Sequence, residues 1–381
     1  MISNQFDYII IGSGLAGLQL ALSLSRDECF QNKKIALLDK SSKTENDKTW
    51  CFWEQGEGKW ESIIHKSWSA GEVITSNKQI DFQLEPYRYK MIRSIDFYNY
   101  VLAELNKIST VEFIHEEVIA TEEKENAVTV STPSQTYEAA HVFDSRIPEE
   151  YFSNQQDYIN IFQHFKGWMI ETEEPVFSPD KFTMMDYRLK WKNSTSFTYV
   201  LPISPTKTFV EYTFFTPFIT DETVYDEQLK TYIEKYLQLN QYKITGTEKG
   251  IIPMTNFPFH KYHSNRITKI GTAGGWVKAS TGYSFKHTEK KIERLLKNIK
   301  ENKVFHLDLY NAKFQYFDKI FLKVLEEENE KGEWIFENFY EKNSIQQVFQ
   351  YLDEETTMAE DLKIMGSLFS SAFIKAFFKS L

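Results

Sequence analysis

Apolar and polar positions alternate most legibly over the first forty residues. Tyr8-Ile9-Ile10-Ile11 is a short β-branched run of the kind carried by a strand buried on both faces. Gly12-Ser13-Gly14 interrupts it, and an alanine- and leucine-rich stretch with helical spacing runs on to about Ser25. A second buried run over residues 34–38 ends in Asp39. The pattern predicts strand, glycine turn, helix and strand.

After a polar loop at 40–47, the spacing of Phe97, Tyr100, Val101 and Leu105 predicts a helix over 96–107, capped by Ser94 or Asp96. Strands are expected over 111–114, 128–131 and 136–143, the last ending at Asp144-Ser145-Arg146. From 151 to 250 the texture changes to long, aromatic, alternating segments. Residues 168–172, 183–187, 197–201 and 208–215 read as an antiparallel sheet, and 221–239 as a helix. A strand over 267–270 leads into Gly271-Thr272-Ala273-Gly274-Gly275, then Ser280-Thr281-Gly282-Tyr283, and a helix over 285–299. The last eighty residues are mostly helical. The final helix, over 364–381, gathers Met365, Leu368, Phe369, Ala372, Phe373, Ala376 and Phe377 on one stripe. That stripe fits either the protein's own core or a lipid interface.

The glycines give the first element its chemistry. Gly12 permits the tight turn, Gly14 lets the backbone approach a pyrophosphate, and Gly17 lets the helix lie close on the strand. The helix N-terminus then presents free N–H groups to phosphate, and Asp39 stands where a carboxylate holds ribose hydroxyls. Gly271 and Gly274, again before a helix, fit a second edge of the same nucleotide. The fold class expected is α/β: a Rossmann-type FAD-binding domain of glutathione-reductase-like or hydroxylase-like kind, with an inserted antiparallel-sheet substrate domain and a C-terminal helical region. Residues 1–75, 111–150 and 264–300 are assigned to the first, 76–110 and 151–263 to the second, and 301–381 to the third.

Composition narrows the partners. A net charge of −10 with no basic block argues against nucleic acid. Aromatic residues make up 16 % of the chain, which suits a large apolar ligand as well as a core. Only Cys29 and Cys51 occur, in no metal-binding spacing, as in a reduced cytoplasmic protein. The apolar start lacks a basic leader and is broken by glycines, so it reads as strand and helix rather than signal sequence.

One acid stands out. Glu211 lies in Phe209-Val210-Glu211-Tyr212-Thr213-Phe214-Phe215, an otherwise apolar strand. If buried there, its proton affinity rises, as a proton donor requires; by strand alternation it faces solvent instead. The aromatic segment Lys48-Thr49-Trp50-Cys51-Phe52-Trp53 fits either a core corner or the wall of a ligand tunnel. His260 and His263 lack a third ligand, so no metal site is expected.

In order along the chain, several of these stretches resemble the lycopene cyclases, flavoproteins of bacterial and plant type that close carotenoid rings. The likeness rests on Gly12, Gly14 and Gly17, the 48–53 segment, Tyr89 to Asp96, Asp144 with Arg146, and Leu201-Pro202-Ile203-Ser204-Pro205-Thr206. It continues through Phe209 to Thr213, Gly250-Ile251-Ile252-Pro253-Met254 and Ser280-Thr281-Gly282-Tyr283-Ser284. Thr272 departs from the aspartate of many related flavin hydroxylases. The resemblance implies redox-neutral cyclisation of lycopene or a related acyclic carotenoid, with reduced FAD, NAD(P)H as reductant, and Glu211 as general acid and base. It also implies a peripheral position on the membrane. Arg93, Asp144, Thr281, Gly282 and Tyr283 are then expected near the flavin, with a surface ion pair as the other reading of Arg93. The competing expectation on the same fold is an FAD-dependent isoprenoid reductase or hydroxylase.

Overall fold

The computed structural model describes residues 4–380. Its first layer grows from the N-terminal run. The strand Gln5–Ile11 pairs in parallel with Ile35–Leu38 on one side and Thr136–Asp144 on the other. Val111–Ile114 extends the parallel set, and Val128–Ser131 and Ala120–Glu123 add an antiparallel edge. The short strand Ile267–Lys269 pairs in parallel with the end of Thr136–Asp144, so the late glycine segment returns beside the first. Helices Leu15–Arg26, Ser94–Leu105 and Phe285–Lys300 cover one face around Leu18, Phe97 and Ile292.

The helix Ser94–Leu105 has Arg93, not Ser94 or Asp96, at its N-cap, and no side chain caps it. Ser94 Oγ instead donates to Asp47 Oδ1 at 2.9 Å and accepts from Lys48 N, tying the helix to the preceding loop.

A second, seven-stranded sheet runs in the order Lys243–Thr255, Asn160–Glu171, Lys207–Thr216, Ser196–Ser204, Lys181–Asp186, Ala70–Ile74, Gln79–Gln83. Its pairings are antiparallel except for Lys181–Asp186 with Ala70–Ile74, which is parallel. The sheet is wider than the sequence pattern indicates. Lys243–Thr255 carries Gly246, Gly250 and Pro253 and lacks apolar alternation, yet it pairs along the whole of Asn160–Glu171. A small antiparallel sheet of Thr49–Gln55, Tyr87–Arg93 and Lys66–Trp68 lies beside both.

Both faces of the second sheet are covered. Val210, Tyr212 and Phe214 pack under the helix Glu222–Lys235, whose N-cap is Asp221. The opposite face packs against the C-terminal helices through Phe209, Phe215, Phe336 and Ile320. The chain end is not one helix: Met358–Ser367 and Ser371–Ser380 are separated by a break at 368–370. Gly366 weakens the first helix near its end, and the Ser370 hydroxyl accepts the Phe373 N–H at the start of the second. The second helix buries Ala372 and Ala376. Lys319 Nζ donates to the Ser380 carbonyl, and Lys379 pairs with Glu327.

Candidate active site

A cavity of about 1090 Å³ runs from the N-terminal glycine turn, past Glu211, to the C-terminal helices. Ligand pockets commonly measure ~300–1,000 Å³, so the space suits a large occupant or two adjoining ones.

At one end the glycine turn forms a cradle. Gly12 has φ +96°, and a Cβ at Gly17 would fall 1.9 Å from the Gly12 carbonyl oxygen, so helix and turn approach as only glycine allows. Gly14 is the helix N-cap and has no side-chain partner, leaving the first N–H groups facing the cavity. Asp39 lies just behind, where its Oδ2 accepts the Ser13 N–H at 2.7 Å and the Ser13 hydroxyl at 2.9 Å. Burial pushes its carboxyl up, but the Ser41 and Ser13 donors and the Lys43 charge hold it below the usual range. It is therefore ionised and oriented.

The late glycine segment supplies the adjoining wall. Gly271, Thr281, Gly282 and Tyr283 line the cavity, while Gly274 sits one turn behind it. Gly282 has φ +74°, and a Cβ there would meet Gln163 Oε1 at 2.2 Å. Thr281 Oγ1 and Gln163 Oε1 are buried without protein partners, polar atoms that fit a bound polar group. Two expected residues stand apart. Arg93 is held by Asp96 through bonds of 2.6 and 2.8 Å and does not line the cavity. Asp144 is buried in an ion pair with Arg146 and Lys269, which outweigh burial and keep its carboxyl ionised. It fixes the end of the strand, and its neighbour Ser145 reaches the cavity.

Glu211 faces inward. Its strand alternates between the helix-covered face, with Val210 and Tyr212, and the cavity face, with Phe209, Glu211, Thr213 and Phe215. Glu211 is only 8 % exposed, and its Oε1 accepts the Thr213 hydroxyl at 2.7 Å. Burial pushes its carboxyl up to about 8, outweighing that hydrogen bond, with a smaller upward push from Glu248. At neutral pH it holds its proton. Around it stand aromatic rings. Tyr89 bonds Tyr199 at 2.7 Å and Tyr283 at 3.0 Å through their hydroxyls, so the phenols satisfy one another. The 48–53 segment is divided: Lys48, Thr49 and Cys51 line the cavity, Phe52 and Trp53 are core, and Trp50 serves both.

Two further groups, the half-buried Glu248 and the buried Lys278, carried no sequence signal. Glu248 lines the cavity and accepts the Thr49 N–H at 2.9 Å. Lys278, fully buried, donates to Asp318 at 3.0 Å and to Glu354 at 3.3 Å. Its carbonyl also accepts the Gly282 N–H, so it anchors the loop bearing Thr281 and Tyr283.

The far end of the cavity is apolar and open. Leu362, Phe369, Phe373, Ile374, Phe377 and Phe378 line it, with Phe369 75 % and Phe378 68 % exposed. Among the described residues no helix is long and apolar enough to cross a membrane.

A parallel nucleotide-type sheet joined to a broad, mainly antiparallel sheet over one large cavity is a fold that this chain shares with solved flavin-dependent proteins. A geranylgeranyl bacteriochlorophyll reductase-like protein from Thermoplasma acidophilum superposes with a TM-score of 0.62 at 12 % identity, over 100 % of both chains. A variant of the halogenase PltM in complex with FAD gives 0.61 at 12 % identity, over 99 % of this chain and 90 % of that one. The flavin-dependent brominase Bmp2 gives 0.57 at 12 % identity, over 98 % of each chain. At such identities the likeness is one of fold. The comparison with curated proteins gives no sequence match. The lycopene cyclase protein family model, however, matches residues 7–377, and the chain belongs to that family.

Proposed function

We propose that this protein is a lycopene β-cyclase, converting the linear ends of lycopene, or a related acyclic carotenoid, to β-ionone rings without net redox change. The observation that carries the reading is Glu211, a carboxylic acid still protonated at neutral pH inside an aromatic-lined cavity. Such an acid donates a proton to the terminal double bond of the polyene. The π pair forms the new C–H bond and leaves a tertiary cation. The neighbouring double bond attacks that cation, the six-membered ring closes, and loss of a ring proton restores a double bond. A positioned acid of this kind contributes about 10²–10⁴-fold.

The cation needs negative charge or π faces and exclusion of water, which would otherwise trap it as an alcohol. Phe209, Phe197, Phe215 and Tyr199 offer ring faces along the cavity, each worth ~0.5–2 kcal/mol to a nearby cation. The glycine turn and helix N-terminus would hold the pyrophosphate of FAD, Asp39 its ribose, and Thr281 to Tyr283 its ring edge. The Gly17 cradle and the unpartnered Thr281 hydroxyl fit that group. Reduced FAD, regenerated by NAD(P)H, would supply negative charge beside the cation without giving up a hydride. The exposed apolar mouth near Phe369 and Phe378 supports peripheral docking on the cytoplasmic membrane face, from which an oily substrate enters.

The fold likeness to a reductase-like protein favours one rival, an FAD-dependent isoprenoid reductase. The two differ in stoichiometry. With lycopene in vesicles, a cyclase turns over many substrate molecules per NAD(P)H consumed. Consumption of NAD(P)H mole for mole with product would refute cyclisation.

A further inference from the structure

Glu211 is not the only acid on its rung of the sheet. Tyr199 pairs with Glu211, Glu211 with Gly167, and Gly167 with Glu248, across four adjacent strands. Residues opposite one another in antiparallel strands project from the same face, and Tyr199, Glu211 and Glu248 all line the cavity. The two carboxylates therefore flank one glycine. Strands lie ~4.8 Å apart, which places the two glutamate backbones roughly 10 Å from each other. The floor between them is aromatic. The Phe209 ring covers Gly167 so closely that a Cβ there would fall 2.2 Å from the ring's Cζ.

Their surroundings differ in kind. Glu211 has one hydroxyl donor, from Thr213. Burial pushes the Glu248 carboxyl above its usual range, and the Thr49 backbone N–H, the Thr49 hydroxyl and the Lys48 charge, none of which reaches Glu211, oppose that push in part. The other titratable groups near it are Asp47, Glu211 and the Cys51 thiol. Lys249 also borders the cavity, but its ammonium pairs with Glu222 at 3.4 Å. The remaining carboxylate lining the cavity, Asp318, is bound to Lys278. Two acids of unlike environment facing one space divide naturally into donor and acceptor.

We propose that Glu248 is the proton acceptor that completes ring closure, with Glu211 as donor and the Gly167–Phe209 floor holding the reacting end between them. This rests on the cyclase reading above and replaces the return of the proton to Glu211 by transfer to a second residue. Glu211 O–H breaks as the substrate C–H forms, and the ring C–C bond then forms from the neighbouring π pair. A ring C–H bond breaks toward the Glu248 carboxylate, its electron pair becoming the ring double bond. Movement of that proton from Glu248 to Glu211 resets the pair, with no net proton or electron consumed.

The test is Glu248→Gln, whose amide oxygen still accepts the Thr49 N–H. It is assayed with lycopene in vesicles and reduced FAD, beside Glu248→Asp. The expected result is a fall of about 10²-fold in kcat, loss of the acid limb of the pH profile, and products trapped as tertiary alcohols or with a displaced ring double bond. Glu248→Asp restores part of the rate and the normal product. Unchanged rate and products overturn the assignment, and so does a slower enzyme with the parent's pH profile and product. A second readout needs no substrate. Infrared titration of the carboxyl bands should show the Glu211 transition near pH 8 moving down in Glu248→Gln, because a neighbouring negative charge has gone. An unmoved transition overturns the pairing, and it does so independently of whether the parent turns over lycopene.

Discussion

Replacing Glu211 by Gln should make the protein more stable in a way that depends on pH. In the folded chain the carboxyl is pushed from its ordinary 4.5 to about 8 by burial, so between these values the native state holds a proton that the unfolded chain has released. Stability falls as pH rises wherever the folded state binds more protons. The parent therefore loses about 1.4 kcal/mol per pH unit across this window, roughly 3 kcal/mol by pH 7 and roughly 4 kcal/mol by pH 8. The loss then levels off. Gln keeps the oxygen that accepts the Thr213 hydroxyl and has no proton to lose. Its extra amide hydrogen imposes a constant offset of about 1–3 kcal/mol if it finds no partner, but a constant leaves the slope unchanged. Urea denaturation of both proteins from pH 5 to pH 9, at one fixed flavin concentration, measures the difference directly. The two stabilities should diverge from pH 5 to 8 and run parallel above. Parallel behaviour throughout would mean that Glu211 is already ionised or solvated at neutral pH, and the argument for a buried donor would fail.

Other perturbations follow from the same geometry. Gly17→Ala drives a Cβ into the Gly12 carbonyl, so it should cost about 3 kcal/mol and release flavin, read as a lower Tm and loss of bound yellow chromophore. Lys278→Met leaves Asp318 and Glu354 without their shared cation in a buried site and should cost about 3–5 kcal/mol by denaturant titration. A cost under 1 kcal/mol would show that water reaches the pair. Phe369→Ser with Phe378→Ser should reduce flotation with anionic vesicles several-fold while leaving Tm nearly unchanged, since both rings are exposed. Equal flotation would place membrane contact elsewhere.

The parts of this molecule legible in the sequence are those whose physics is local. Gly12, Gly14, Gly17 and Asp39 declare themselves because a tight turn, a close approach and a terminal acid each demand a residue type at a fixed spacing. The orientation of Glu211 was not local. Its strand is apolar on both faces, and only the helix Glu222–Lys235 covering one of them decides which way the acid points. Glu248 has no local signature for a related reason: its strand has two glycines and a proline and derives its identity from pairing with Asn160–Glu171. Arg93 shows the reverse. Its pairing with Asp96, three residues on, was available from spacing alone. The break at 368–370 turned an expected single amphipathic helix into two, of which one docks through Ala372 and Ala376 while its aromatic flank stays exposed at the cavity mouth. Core docking and an apolar outer face thus coexist at the chain end.

The central claim is that Glu211 delivers the proton that closes a carotenoid ring. Pigment analysis of lycopene-accumulating cells expressing the parent or Glu211→Gln tests it most directly, with chromatography separating lycopene from one-ringed and two-ringed products. β-Rings are expected with the parent and unchanged lycopene with the variant, both proteins being folded and holding flavin. Rings formed equally by both would contradict it.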